Sequence, residues 1–352
     1  MVERIQSDLI LAGDVGGTKT RLGLLRVGKQ KDRWLALEVF PSGHYCGLEE
    51  VLEDFLRRKV LSKGEIASAC FGVAGPVTGK TASGTNLPWV IRTASLQRTF
   101  AIERLELIND IVALSYGLSQ LKRQDLDVLH AGIPRRGNRV LIAAGTGLGQ
   151  AILVWDGQKH IPSASEGGHV DFAPRDRLEM DLLEEMIDRY GHVSYERVLS
   201  GPGLVEIYRF LKGMKTFGAE PKWLSERLER EDPPEVISET ARLKRSRLCE
   251  KALDLFCSIY GRAAGNLALQ GFAMGGVYVG GGIAPKILWK LRDGGFLRSF
   301  AEKGRLSEFL LQIPIKVILN DEGALLGAAQ RAKELLLSEP GHRLRSAGRW
   351  IG

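Results

Sequence analysis

Several short stretches of this chain carry residue types that can bind phosphate or grip hydroxyl groups. Gly13-Asp14-Val15-Gly16-Gly17-Thr18-Lys19 puts three glycines, a carboxylate and a hydroxyl into one bend. Glycine lets the backbone turn tightly and bring N–H groups against phosphate oxygens, while Thr18 adds a donor. Asp14 could hold a hydrated magnesium ion. The spacing is neither GxxxxGK[ST] nor GxGxxG. Gly145-Thr146-Gly147-Leu148-Gly149 is a second bend of the same kind, and its sixth position is Gln150. Either bend alone reads equally well as an ordinary glycine hairpin. Two of them, each with a threonine, point to a pair of phosphate turns.

Asn109-Asp110 follows the apolar run 105–108. Ligands of open α/β sheets bind at C-terminal strand ends. A carboxylate there can accept the proton of an attacking hydroxyl. The same pair also reads as an Asx cap on the helix that follows. Glu166-Gly167-Gly168-His169, with Asp171 close behind, sets carboxylates and an imidazole around two glycines. Such groups suit sugar hydroxyls, and a site built from them rejects analogues lacking a hydroxyl. A metal reading of Glu166, His169 and Asp171 has no second cluster to complete it. A plain polar turn is the other alternative. Glu196 stands just ahead of Ser200-Gly201-Pro202-Gly203 and by itself reads as helix surface. His44 and His192 have no evident partner and read as structural or solvated.

The elements that must position these residues follow from hydrophobic periodicity. Strands are expected over 9–12, 22–27, 34–40, 66–73, 105–108, 139–144, 151–155, 276–280 and 315–319. Helices are expected over 48–60, 206–212, 248–269 and 323–337. Strands alternating with helices imply an α/β fold with a largely parallel sheet core. The two strand–glycine turn–strand units lie about 130 residues apart, which reads as an internal duplication. Residues 212–235 are charged and irregular and read as an exposed insertion. The polar stretch 338–352 reads as a frayed tail.

Composition bounds the rest. The 352 residues suit two domains rather than one core. Hydrophobic residues make up 44% and charged residues 26%, the balance of a soluble globular protein. The net charge of +7 could suit nucleic acid. However, the basic residues are interspersed with acidic ones, and the densest run, 242–247, reads as the solvated face of a helical segment. No nucleic-acid partner is expected. Cys46, Cys70, Cys249 and Cys257 form no CxxC pair and no metal spacing, as free thiols of a reducing cytosol would. The N-terminus lacks the pattern of a signal peptide. The uncharged stretch 263–285 holds seven glycines plus Asn266 and Gln270, so it reads as helix, turn, strand and turn rather than a membrane span.

Taken in order, the motifs resemble those of the bacterial ATP-dependent glucokinase family, within the actin-like, hexokinase-type ATPase superfamily. The match covers roughly residues 8–335. It rests on Gly13-Asp14-Val15-Gly16-Gly17-Thr18, Ile108-Asn109-Asp110, Ala144-Gly145-Thr146-Gly147-Leu148-Gly149, Glu166-Gly167-Gly168-His169-Val170-Asp171-Phe172-Ala173-Pro174, Glu196-Arg197-Val198-Leu199-Ser200-Gly201-Pro202-Gly203 and Gly280-Gly281-Gly282-Ile283. The resemblance implies a two-lobed, ribonuclease H-like fold with mixed sheets and an active site in the interlobe cleft. The small domain would comprise 1–120 with 318–337, and the large domain 121–317.

The same resemblance implies roles. Gly13, Asp14, Val15, Gly16, Gly17 and Thr18 would form the first phosphate loop, with Asp14 near Mg²⁺ through water. Gly145, Thr146 and Gly147 would form the second, and Gly281 and Gly282 would border the adenosine. Asp110 would be the catalytic base, needing no raised pKa because proton transfer can run late. Asn109, Asp110, Glu166, His169 and Glu196 would hold the sugar. ATP, Mg²⁺ and glucose are the implied ligands and a cytoplasmic homodimer the implied assembly. Lys19 stands where the family usually has asparagine, as in the neighbouring ROK sugar kinases. Those relatives carry a cysteine-rich zinc motif, whereas no cysteine falls between Cys70 and Cys249 here, so no zinc is expected. A sugar-responsive regulator would need a helix-turn-helix, and the 13 residues ahead of Asp14 are expected to leave no room for one.

Overall fold

A computed structural model describes residues 8–84 and 88–338. All of the polar tail except Ser338 lies outside the described residues. The chain separates into two compact units, one made of the chain up to Gln120 and from Glu322 onward, the other of Leu121–Asp321. The return to the first unit therefore comes four residues later than the expected boundary at 318, because residues 315–318 complete the sheet of the second unit.

The first unit opens with β1 (Leu9–Val15), β2 (Lys19–Arg26), β3 (Arg33–Pro41), α1 (Leu48–Arg58) and β4 (Ile66–Val73). A small antiparallel ribbon follows, of β5 (Val77–Thr78), β6 (Thr81–Ser83) and β7 (Val90–Arg92). Then come α2 (Thr93–Phe100), β8 (Arg104–Asn109) and α3 (Asp110–Gly117). The ribbon is absent from the sequence reading, since strands of two or three residues carry too little periodicity to register.

The second unit holds β9 (Leu126–His130), β10 (Arg139–Ala144), β11 (Leu148–Trp155), β12 (His160–Ser165), α4 (Arg177–Tyr190), α5 (Tyr195–Val198), α6 (Gly201–Met214), α7 (Lys222–Arg230), α8 (Pro233–Arg242) and α9 (Arg247–Gln270). It closes with β13 (Gly276–Gly280), α10 (Ile283–Lys286), α11 (Leu288–Leu291), α12 (Gly295–Ala301), α13 (Ser307–Leu311) and β14 (Ile315–Ile318). The last helix, α14 (Gly323–Leu337), belongs to the first unit.

Both main sheets share one strand order. It is β3-β2-β1-β4-β8 in the first unit and β12-β11-β10-β13-β14 in the second, which adds β9 at its edge. Each begins with an antiparallel hairpin, β1–β2 or β10–β11. The first strand of each hairpin then pairs in parallel with a later strand, β4 or β13. The duplication read from the two glycine bends is thus a duplication of topology. The sheets are mixed, with the parallel pairings confined to three strands of each.

Burial explains the apolar run of β1. Leu9, Leu11 and Val15 join a core with Phe55 of α1 and Leu96 of α2. Ile10 and Ala12 face the other way, into a core with Ala113 of α3 and Leu325, Ala328 and Ala329 of α14. A strand covered on both faces reads as a continuous hydrophobic stretch. The helix pair α3–α14 is in glycine-mediated contact. A Cβ at Gly327 would lie 1.7 Å from the Ala113 carbonyl oxygen, and one at Gly117 would lie 2.0 Å from that of Gly323.

Two expectations are corrected. The basic run 242–247 is not a helical segment. It spans the end of α8, a four-residue connection and the first residue of α9, with Arg242, Lys244, Arg245 and Arg247 exposed. Nor is 212–235 wholly an exposed insertion, since it contains α7, whose Leu224 is fully buried in the core of the second unit. The stretch 263–285 divides into helix, turn and strand as read. Among the described residues no helix is long and apolar enough to cross a membrane.

Candidate active site

The first glycine bend is the turn of the β1–β2 hairpin. It is closed by the Gly16 N–H donating to the Lys19 carbonyl at 3.1 Å. Ser42 braces it from outside the motif. Its hydroxyl donates to the Gly16 carbonyl at 2.7 Å, its N–H donates to the Thr18 carbonyl at 3.1 Å, and it shares a hydrogen bond with the Thr20 hydroxyl at 3.0 Å. Sequence reasoning missed Ser42. Its only sequence signal is its position one residue past β3, whose end pairs with the start of β2.

Sheet register brings Asp14 and Asp110 to one end of the first unit. Asp14 aligns with Gly72 of β4, which aligns in turn with Ile108 of β8, two residues ahead of Asp110. Asn109 is the N-cap of α3. Its Oδ1 accepts the Ile111 N–H at 2.9 Å and its Nδ2 donates to the Gly75 carbonyl at 3.1 Å. The capping alternative is therefore correct for Asn109, and it orients Asp110 as the first residue of the helix.

Burial pushes the Asp110 carboxyl above the ordinary carboxylate range, to about 6, and the negative charge of Asp14 pushes the same way. The hydrogen bond from the Ile111 N–H opposes them only in part. The role of base does not require a raised pKa, yet the fold supplies one. Asp14 also faces Arg21, with 3.8 Å between charged atoms. Two carboxylates that repel one another form a place where a divalent cation would be favourable. No three His, Cys, Asp or Glu side chains gather as a metal cage among the described residues.

In the second unit the second bend joins β10 to β11. The Gly145 N–H donates to the Gly147 carbonyl at 2.8 Å, and the Gly145 carbonyl accepts the Gly201 N–H at 2.8 Å. Gly281 lies alongside with φ +82, and a Cβ there would sit 2.2 Å from the Ala144 carbonyl oxygen. Only glycine tolerates both that conformation and that approach. A Cβ at Gly145 would reach the Gly282 nitrogen at 4.0 Å, so Gly281 and Gly282 border the second turn.

Glu166, His169 and Glu196 come together in this same unit. Phe172 donates its N–H to the Val193 carbonyl and Tyr195 donates to that of Val170, both at 2.9 Å, which ties the segment after His169 to the start of α5. His169 Nε2 lies 3.9 Å from Glu166 Oε2, and its Nδ1 lies 3.9 Å from Glu196 Oε1. The other oxygen of Glu196, Oε2, accepts the Leu148 N–H at 2.9 Å. Glu166 and His169 are exposed, while Glu196 is half-buried. His192, read as lacking a partner, pairs with Asp171 at 2.9 Å. Asp171 thereby turns to His192, and its membership of a cluster with Glu166 and His169 has no support. Thr18 and Thr146 are both exposed at the tips of their turns.

A cavity of about 370 Å³ opens in the second unit, lined by Arg227, Asp232, Glu235, Lys286 and Trp289 among others. Its walls are rooted near the second turn. Lys286 ends the helix that follows Gly282, and Pro234 of α8 packs on Gly201, 3.4 Å from where a Cβ would stand.

Comparison with known proteins agrees with this arrangement. The family model described as Glucokinase matches residues 11–335. A glucokinase of Nostoc punctiforme is 41% identical over 341 residues, covering 93% of this chain and 99% of that protein. The crystal structure of a glucokinase from an Antarctic psychrotroph superposes with a TM-score of 0.79 at 31% identity, covering 94% of this chain and 100% of that one. A glucokinase from Balamuthia mandrillaris in complex with glucose shares the fold, with a TM-score of 0.78 at 20% identity, covering 94% of this chain and 95% of that one. From its two glycine hairpins to its matching sequence over nearly the full length, this chain belongs to the glucokinase family.

Proposed function

We propose that this chain transfers the γ-phosphoryl group of ATP to the 6-hydroxyl of D-glucose, giving glucose 6-phosphate and ADP, with Asp110 as the base. As a member of its family it is an ATP-dependent hexose kinase. The observation that carries the reading is the contact made by Glu196. Its carboxylate stands between His169, a residue suited to sugar hydroxyls, and the backbone of a turn suited to phosphate.

In this reading Glu166, His169, Glu196 and Asn109 fix the pyranose. Asp110 takes the proton from O6, the oxygen forms its bond to the γ-phosphorus, and the bond to the β-phosphate oxygen breaks to release ADP. Phosphoryl transfer leaves little covalent work for the protein, so positioning and charge neutralisation dominate. The N–H groups of the two glycine turns spread the developing negative charge. Magnesium, when bound near Asp14, would neutralise phosphate charge. An Asp110 pKa of about 6 keeps the group ionised at neutral pH while making it a better proton acceptor than an ordinary aspartate. The family resemblance also carries a cytoplasmic homodimer into the proposal.

The test is the purified protein with Mg·ATP and a panel of hexoses, read by coupled ADP release and by identification of the product. Glucose is expected to give the highest kcat/KM, with phosphate on O6. Preference for mannose, fructose or an N-acetylated hexose would reassign the acceptor, and no phosphorylation of any hexose would end the reading.

The cavity lined by Trp289, Asp232, Glu235 and Lys286 is the proposed seat of the adenosine. Trp289 offers an aromatic surface there, while Asp232 and Glu235 offer acceptors for ribose hydroxyls. ADP binding is expected to change the fluorescence of the wild-type protein, and Trp289→Phe should remove most of that change. Trp289→Ala should raise KM for ATP about fivefold to tenfold, the cost of a lost stacking contact. An unchanged KM for ATP in that variant would place the base elsewhere.

A further inference from the structure

We propose that Glu196 is a positioning residue for the second phosphate turn, so that one side chain serves both the sugar and the nucleotide. The inference rests on the functional reading above and goes beyond it, because a sugar contact alone explains only one of its two oxygens.

Three observations lead to it. Oε2 accepts the Leu148 N–H at 2.9 Å, at the point where the turn enters β11. The same oxygen fills the place of a side chain at Gly147, since a Cβ there would lie 2.5 Å from it. The turn is also gripped a few residues further along the chain. The Gly201 N–H holds the Gly145 carbonyl at 2.8 Å, and the Ser200 hydroxyl donates to the Glu196 carbonyl at 2.8 Å. The stretch from Glu196 to Gly201 thus clamps the turn at both ends, at Gly145 and at Leu148.

A hydrogen bond from a backbone N–H to a carboxylate fixes the turn more firmly than a neutral acceptor would. It also leaves Oε1 directed at His169, 3.9 Å away. A sugar hydroxyl that engages Oε1 and His169 holds the carboxylate in the orientation that braces the turn. Sugar binding and nucleotide binding should then reinforce one another through this side chain. Glu166 supplies the comparison, because it lies near the same histidine and, among the described residues, accepts no hydrogen bond from the turn.

The test is calorimetric titration of AMPPNP with Mg²⁺, in the absence of sugar. Glu196→Ala should weaken nucleotide binding about tenfold to a hundredfold, the effect of losing one hydrogen bond to a charged group. Glu166→Ala should stay within about twofold of wild type, the usual range for a side chain that does not touch the ligand's site. Glu196→Gln should restore nucleotide binding, because its amide oxygen can still accept the Leu148 N–H, while KM for glucose remains raised. Exchange of the Leu148 amide hydrogen should be fast in Glu196→Ala and slow in Glu196→Gln. The proposal fails if Glu196→Ala binds nucleotide as wild type does, or if Glu196→Gln loses nucleotide affinity as fully as the alanine variant. The glutamine variant decides the matter even if the alanine variant does not fold. A wild-type protein that binds no nucleotide would instead overturn the functional reading itself.

Discussion

Asp110→Asn should cost about 10²–10⁴-fold in turnover, the range expected for removing a general base, while KM for glucose stays nearly unchanged. The amide fills the same space at the start of α3 but cannot take the proton of the attacking hydroxyl. Loss of sugar affinity in equal measure would make Asp110 a binding residue instead. The pH profile supplies a second readout. With the wild-type carboxyl at about 6, kcat/KM should fall tenfold per unit below that pH as the base becomes protonated. The same substitution should stabilise the fold. The folded-state pKa lies above the unfolded one, so the unfolded chain binds fewer protons between about pH 4 and 6. Stability therefore declines as pH rises through that window and stays lowered above it. Asp110→Asn removes the penalty, which at pH 7 is about 1–3 kcal/mol after allowance for the partial exposure of the residue. Urea melts at pH 7.5 and pH 4 should show a gain at the first and little at the second. Activity lost and stability gained at one position is the signature of a group held for chemistry.

Gly327→Ala should destabilise the protein by about 2–3 kcal/mol, as overpacking of a tight contact does, and should reduce turnover with it. Helix propensity alone favours alanine over glycine by about 1 kcal/mol. The contact reverses that sign, because the new Cβ would stand 1.7 Å from a backbone carbonyl oxygen of α3, which cannot move without shifting the helix that begins at Asp110. Gly213, on the exposed surface of α6 with nothing within 4 Å of a built Cβ, is the control. Gly213→Ala should leave stability unchanged or raise it by a few tenths of a kcal/mol. Urea denaturation of the two variants beside wild type checks both signs. Equal stabilities for Gly327→Ala and wild type would mean that α14 does not meet α3 through this glycine.

The parts of the site that are legible in the sequence are those whose chemistry is local. Glycine beside threonine declares a tight turn, and it is the repetition of that turn that points to phosphate. The strand 66–73 and the helix 323–337 fall where periodicity puts them, because their burial is regular along their length. What escaped depends on partners far away in sequence. Ser42 braces a bend 26 positions earlier, and nothing in its neighbourhood announces this. Glu196 by itself reads as helix surface and is marked for sugar only by the family resemblance, while its hold on the Leu148 N–H, 48 positions away, has no signal in the sequence. The raised pKa of Asp110 is likewise invisible, since it follows from the packing around the carboxyl and from Asp14 in another strand. The stretch 212–235 misled for the opposite reason. Its many charges are real, but a single leucine every few residues suffices to seat a short helix, and Leu224 does so.

One consequence follows from the two covalent crossings between the units. The sheet formed by the residues up to Gln120 has one apolar side, with Ile10, Ala12, Cys70 and Ile108, that α3 covers only in part until Leu325, Ala328, Ala329 and Ala332 arrive with α14. The middle portion, Leu121–Asp321, contains all the strands of its own sheet and can mature without waiting. The unit that begins ahead of the other is therefore completed after it. Part of its apolar side waits for cover for as long as translation of some two hundred intervening codons takes.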